Sequence, residues 1–200
     1  MTRIVLASGN PGKLEELRAL LAPKRVELLS QDEFGVRPAV EDGLSFVENA
    51  LIKARNACLG TGLAAIADDS GLEVDALRGA PGIHSARYAG VEGPGADAEN
   101  NRKLLAALEQ VPAAERAARF QCAIVLMRHD ADPMPLVCQG SWEGRILFAP
   151  KGENGFGYDP LFFVPGENRS SAQLPPERKN LLSHRAQAIG KLLSCWNYPR

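Results

Sequence analysis

The sequence is short of the features that mark secreted, membrane-bound or nucleic-acid-binding chains. Only four of its 200 residues are cysteine: Cys58, Cys122, Cys138 and Cys195. They are far apart and form no CxxC pair, which excludes a disulfide framework or a zinc motif and fits a reducing compartment. No apolar run approaches the roughly 20 residues of a membrane span. The N-terminal Ile4-Val5-Leu6-Ala7 is too short for a signal peptide and lacks a cleavage region. A cytoplasmic protein is expected. A net charge of -1 leaves no basic excess, so duplex nucleic acid is not an expected partner. Internal repeats and long low-complexity segments are absent too.

What is present is ordinary globular composition, 45% apolar and 24% charged. A chain of this length buries roughly 70% of its unfolded surface and needs no staple to fold. It suits one large domain or two small lobes sharing a core, and a single domain over residues 1–200 is expected. Ile4 to Ala7 reads as a buried strand, followed by a turn and a helix with Leu14, Leu17 and Leu21 on one stripe. Ser45 and Glu48 form a capping box ahead of a second helix. Val47, Ala50, Leu51, Ala54 and Cys58 line one face of that helix, with Asn49, Lys53 and Asn56 opposite. Strands are expected over 63–67 and 72–77, with an acidic loop between them. Further on come a helix over 97–110, adjacent antiparallel strands over 120–128 and 136–148, and a strand over 161–164. One last helix carries Leu182, Ala186, Ile189, Leu193 and Trp196. Interleaved helices and strands imply an α/β fold, a mixed sheet with helices packed on it.

Four segments could carry chemistry. Ser8-Gly9-Asn10-Pro11-Gly12-Lys13 joins a strand end to a helix start, where free N–H groups and the helix dipole favour anions. It reads as a phosphate cradle or as a polar turn. It is not a Walker A loop, because the spacer is too short and Leu14 stands where Ser or Thr belongs. Asp68-Asp69-Ser70-Gly71 places two carboxylates at a strand end, where they can serve Mg²⁺ or form a solvated turn. In extended chain only one of the two faces a given side. Glu41-Asp42-Gly43 could add a second metal ligand. In Gly155-Phe156-Gly157-Tyr158-Asp159-Pro160, either aromatic could stack on a base or plug the core, and Asp159 could accept a base N–H. Lys179, His184 and Arg185 form a basic group near the last helix. His84 and His129 have no partner spacing and receive no role.

Taken together, these segments resemble the inosine/xanthosine triphosphate pyrophosphatase family, close to its bacterial dITP/XTP branch. The resemblance runs through Ser8 to Lys13, Phe46-Val47-Glu48-Asn49-Ala50 with Lys53-Ala54, Ala67 to Gly71, Gly79 to Gly90, Gly155 to Pro165 and Ser183-His184-Arg185. No one motif is decisive, but their order and spacing are specific. The tail Trp196-Asn197-Tyr198-Pro199-Arg200 matches nothing in the family pattern.

The resemblance implies an elongated mixed sheet with two lobes flanking an active-site cleft, and a homodimer. It implies Mg²⁺-dependent hydrolysis of XTP, ITP and dITP to monophosphate and pyrophosphate, which clears damaged purines from the nucleotide pool. It makes Asp69 the proton acceptor and a Mg²⁺ ligand, with Glu41 as the second ligand. Ser8, Gly9, Asn10, Pro11, Gly12 and Lys13 would bind the triphosphate, and Lys53 would reach it from its helix. Ser70, Phe156, Gly157, Tyr158, Asp159, Lys179, His184 and Arg185 would bind substrate. The 6-oxo group and N1–H of hypoxanthine and xanthine offer the means of rejecting adenine. A donor such as His184 or Arg185 would be left unpaired against an amino group. Three rival readings are a septum-inhibitor-type pyrophosphatase, a non-catalytic nucleotide sensor and a phosphotransferase.

Overall fold

The computed structural model describes residues 2–24 and 26–196; residues 197–200 of the unmatched tail lie outside them. Seven strands are hydrogen-bonded in the order β2-β1-β3-β4-β5-β6-β7. They are β1 (Thr2–Leu6), β2 (Val26–Ser30), β3 (Ala64–Val74), β4 (Ala117–Met127), β5 (Leu136–Ile146), β6 (Phe162–Val164) and β7 (Arg169–Ser170). The α-helices are α1 (Pro11–Leu21), α2 (Phe46–Thr61), α3 (Ala96–Ala107), α4 (Pro176–Leu182) and α5 (His184–Cys195). β1 runs parallel to β2 and β3, whereas β5–β6 and β6–β7 are antiparallel. The sheet is therefore mixed and the fold is α/β, as the interleaved pattern implied.

Two compact units divide the chain. One comprises Met1–Asp69, Cys122–Gly140 and Arg185–Arg200; the other comprises Ser70–Gln121 and Ser141–His184. The first is layered by residue parity. Ile4, Leu6, Ala64, Ile66, Cys122, Ile124 and Leu126 pack with Leu17 and Leu21 of α1 and with Ala188, Ile189 and Leu192 of α5. The residues between them point the other way. Val5, Ala7, Ala65, Ala67, Ala123, Val125 and Met127 pack with Ala50, Ala54, Ala57 and Cys58 of α2. Successive side chains of a strand leave opposite faces, and helices cover both. That is why these strands read as unbroken apolar runs rather than alternating ones. The second unit has its own core, in which Leu72, Leu104, Phe120, Trp142, Tyr158 and Phe162 pack together.

Several expectations are corrected. The acidic segment is not a loop between two strands but the middle of β3, which runs unbroken through Asp68-Asp69-Ser70-Gly71. β3 lies between β1 and β4; its register with β1 covers Ala64, Ala65 and Ile66, and the strand runs on past Gly71 to Val74. The last helix is two helices. Ser183 is extended at φ -64°, ψ 157°. It leaves Leu182 against the second unit's core and Ile189, Leu193 and Trp196 against the first unit's. The strands β2 and β7 were not anticipated, and α3 stops at Ala107 ahead of a turn.

One buried carboxylate ties down the β4–β5 connection. Asp132 accepts hydrogen bonds from the backbone and guanidinium of Arg128 and from Met134 N at 3.0 Å. The Arg128 guanidinium beside it holds its carboxyl well below the ordinary range. A folded-state pKa below the unfolded one gives stability that is present above about pH 4 and lost as pH falls further. Asp132→Asn is expected to cost roughly 1–3 kcal/mol at pH 7. In denaturant titrations at pH 7, 4 and 3 the gap between variant and wild type should shrink with acidification; a constant gap would contradict the assignment.

Candidate active site

The parity of β3 sends its two acids to different helices. Asp68 follows Ile66 onto the α1/α5 face and is fully buried. Lys13 Nζ lies 2.5 Å from its Oδ1. Arg185 donates to it through Nε at 2.9 Å and Nη2 at 3.3 Å, and Cys122 Sγ donates at 3.0 Å. Arg185 Nη1 also donates to Glu16 of α1. Burial alone would raise the Asp68 carboxyl, but Arg185 and Lys13 outweigh it and hold the group well below its usual range.

Asp69 follows Ala67 onto the α2 face. Its Oδ1 accepts from Lys53 Nζ at 2.6 Å, and the same ammonium lies 3.2 Å from Glu41 Oε2. Its Oδ2 is buried and has no hydrogen-bond partner among the described residues. Burial raises the Asp69 carboxyl, and Lys53 only partly offsets this. Burial works to lower Lys53, yet Asp69 and Glu41 outweigh it and the net shift is upward.

Lys53 does not lie on the solvent face of α2. It is three residues after Ala50 and four before Ala57, hence on the edge of the buried stripe. The small side chains of Ala50, Ala54, Ala57, Ala65 and Ala67 bring helix and strand close. Asn49 is likewise buried rather than solvent-facing. Its Oδ1 accepts from Gly43 N at 2.9 Å and so anchors the turn that carries Glu41. A Cβ on Gly43 would stand 2.6 Å from Glu48 Cβ and 2.8 Å from Asn49 Oδ1. Ser45 caps α2 by accepting from Glu48 N at 3.2 Å, and the Glu48 carboxylate accepts from Leu44 N and Ser45 Oγ, so only the first half of the capping box is formed. Asn49 is a supporting residue whose part the sequence reading missed, although it lies within the Phe46 to Ala50 motif.

At the start of α1, Ser8 Oγ accepts from Asn10 N and Asn10 Oδ1 caps Lys13 N, both at 3.1 Å. Both side chains thus fix the loop. Gly9, Asn10 and Pro11 are exposed and Ser8 and Gly12 half-buried. The loop leaves β1 level with the Asp pair, since Ala7 N donates to Ile66 O at 2.8 Å.

The remaining expected residues belong to the second unit, except Arg185. Asp159 accepts from Phe156 N at 3.0 Å, Lys179 Nζ at 2.7 Å and Ser171 Oγ at 2.7 Å. Lys179 Nζ also stands 5.0 Å from the Phe156 ring centroid. Gly155 has φ 77°, and a Cβ there would fall 2.1 Å from Asp159 Oδ2, so only glycine fits. Of the two aromatics, Tyr158 plugs the core. It is buried, its hydroxyl donates to Ser85 O at 2.8 Å, and burial raises its pKa. Phe156 is half-buried. His184 is buried against Phe120, ring centroids 4.9 Å apart and nearly parallel. Ser70 is half-buried on β3.

Two residues that the sequence reading passed over hold this loop. Asp97 accepts from Gly157 N at 2.7 Å, and Asn101, one turn along α3, donates to Gly157 O at 2.8 Å. Their i, i+4 spacing was visible, but nothing local pointed to a partner about sixty residues away.

Within the first unit, a strand-end loop with a lysine and two carboxylates sharing a cation suit a phosphorylated ligand; within the second, the aromatic loop is clamped by Asp97 and Asn101. The model of the Ham1 family matches residues 4–195. The chain belongs to that family. A dITP/XTP pyrophosphatase from Vibrio parahaemolyticus is 60% identical over 97% of this chain and 96% of its own length. One from Xylella fastidiosa is 57% identical over 98% and 97%. Among solved family structures, a HAM1 protein from Coxiella burnetii superposes with a TM-score of 0.88 at 50% identity, covering 97% of this chain and 98% of that one. A dITP/XTP pyrophosphatase from Mycobacterium abscessus gives 0.76 at 46%, covering 96% and 99%.

The geometry separates the two acids by a stability test. Asp68→Asn leaves Arg185 and Lys13 facing a neutral group in a fully buried site, and is expected to cost roughly 3–5 kcal/mol. Asp69→Asn leaves Lys53 with Glu41 and should cost clearly less. Urea unfolding of both variants checks this; equal losses would contradict it.

Proposed function

We propose that the protein hydrolyses noncanonical purine nucleoside triphosphates, XTP, ITP and dITP, to the monophosphate and pyrophosphate. Its effect would be to keep damaged purines out of DNA and RNA. The family membership and the names of the near relatives support the reaction class. The observation that carries the residue assignment is Asp69. One of its oxygens is fixed by Lys53 and the other is buried without a hydrogen-bond partner among the described residues.

A buried carboxylate with a raised pKa and an unspent oxygen suits a general base. In this reading Asp69 Oδ2 takes the proton of the water that attacks the α-phosphorus. Lys13 and Lys53 add positive charge towards the phosphate oxygens. Each is already fixed by a carboxylate, so little reorganisation is needed at reaction. The Ser8 to Gly12 loop and the start of α1 offer backbone donors to the triphosphate. Arg185 would act chiefly by fixing Asp68, and through it Lys13. Phe156 would stack on the base, with Lys179 and the peptide groups around Gly157 beside it. His184, Ser70, Tyr158 and Asp159 would shape that pocket.

The residues present fit Mg²⁺. Glu41 and Asp69 are hard oxygen donors that already converge on one cation, the Lys53 ammonium. Among the described residues no group of three or more His, Cys, Asp or Glu is placed to hold a metal. Glu41 and Asp69 would therefore be the protein ligands, with water and phosphate completing the shell, as is usual for this ion. When bound, Mg²⁺ would supply charge compensation at the phosphate oxygens. A homodimer in a reducing cytoplasm completes the proposal. The four free cysteines suit the compartment, and no described helix is long and apolar enough to cross a membrane.

The test is a pyrophosphate-release screen over XTP, ITP, dITP and ATP, with and without Mg²⁺. Release confined to the first three and dependent on Mg²⁺ is expected. Binding of ITP without release would mean a sensor instead. Asp69→Asn should lower kcat by roughly 10²–10⁴-fold with its fold intact by circular dichroism, and near-normal turnover would remove Asp69 from its role. Asp97→Ala frees the Gly157 peptide. The lost hydrogen bond is expected to raise KM for ITP about tenfold while kcat changes little. An unchanged KM would show that the clamp does not serve the base.

A further inference from the structure

Cys138 and Cys195 take no part in the site above. Cys138 lies on β5, within the apolar cluster that includes Ile189 and Leu192 of α5. Cys195 is the last residue of α5 and is exposed. Their Sγ atoms are 4.0 Å apart across 57 residues of sequence. The same end of the helix is also held to the next residue of the strand, since Lys191 Nζ donates to Gln139 O at 2.7 Å. The other two cysteines are buried and engaged elsewhere. Cys58 Sγ donates to Met127 O, and Cys122 Sγ donates to Asp68. One pair of thiols is therefore both juxtaposed and open to solvent on one side.

We propose that Cys138 and Cys195 form a reversible oxidative modification site, closing to an intramolecular disulfide under peroxide and reopening with a thiol reductant. The exposed Cys195 thiolate attacks a peroxide oxygen. The O–O bond breaks, Cys195 becomes a sulfenic acid and one water leaves. Cys138 sulfur then attacks Cys195 sulfur; the S–S bond forms and the sulfenic oxygen leaves with the Cys138 proton as a second water. Two thiols lose two electrons and one peroxide gains them. The order follows from access: Cys195 is exposed whereas Cys138 is buried, and burial and the neighbouring Cys195 push the Cys138 thiol up to about 11, which disfavours it as the first attacker. Bond formation brings the sulfurs to about 2.05 Å. The movement falls on the last turn of a helix, where ends fray readily. The product would tie the far end of the helix that begins with His184-Arg185 to β5.

The test uses the reduced full chain and hydrogen peroxide. Thiol titration in denaturant should fall from four to two, and non-reducing peptide mapping should join Cys138 to Cys195. Dithiothreitol should restore all four thiols. Cys195→Ser, at an exposed position, should keep its remaining three thiols free of any disulfide, whereas Cys58→Ser should still lose two. The cross-link closes a long loop and should raise Tm by about 5 °C or more. As an independent probe, phenylarsine oxide should bind the reduced protein one to one and protect both thiols, and should fail with Cys138→Ser. Four thiols surviving peroxide, or a covalent dimer through Cys195, would overturn the proposal.

Discussion

The site depends on the two-residue period of one strand. β3 carries adjacent carboxylates through the middle of a sheet that helices cover on both faces, so each acid meets a different helix layer. Asp68 meets Lys13, Arg185 and Cys122; Asp69 meets Lys53 and, through it, Glu41. Burying two neighbouring carboxylates would be prohibitive without compensation. The compensation differs in kind. Asp68 is surrounded by cations and stays ionised as a fixed negative post that holds Lys13. Asp69 shares a single ammonium with Glu41, and burial is left to raise its pKa.

That arrangement requires α2 to lie close to β3, and the alanines provide for it. Larger residues at 50, 54, 57, 65 or 67 would lift the helix and carry the Lys53 ammonium away from Asp69. The N-terminal turn of α2 does a second job. Asn49 holds Gly43, Gly43 has no room for a Cβ, and Glu41 two residues earlier is thereby set beside Lys53. Cap, helix face and proposed metal ligand belong to one mechanical unit.

Much of this was legible in the sequence. The Ile4 to Ala7 run, the Ser45–Glu48 cap and the apolar stripe of α1 each announce themselves through local periodicity. The alternation of Asp68 and Asp69 was also foreseeable once the chain there was taken as extended. What local pattern could not supply was the neighbours. Ser70-Gly71 looks like a break, yet β3 runs through it to Val74. Leu182 and Ile189 share a helical stripe on paper, but each belongs to a different core, and Ser183 turns the chain between them. Lys53 looks like a solvent-facing residue until Asp69 is known to lie beneath it. Asp97 and Asn101 gain meaning only from Gly157.

Counting hydrogen bonds separates the three buried acids of the candidate site more sharply than burial does. Asp159 spends both oxygens on Phe156 N, Lys179 and Ser171, and Asp68 spends both on Lys13, Arg185 and Cys122. Neither has an oxygen without a protein partner, and losing a buried charge-assisted bond costs several kcal/mol. They act by placing other groups: the Phe156 loop and Lys179 in one case, Lys13 in the other. Asp69 alone of the three has a buried oxygen with no hydrogen-bond partner among the described residues. A buried carboxylate oxygen in that state is expensive to maintain in a folded protein. The expense is accounted for if a ligand, metal ion or reacting water is what the oxygen is kept for, and that is the physical basis for giving the proposed chemistry to Asp69 rather than to its neighbour.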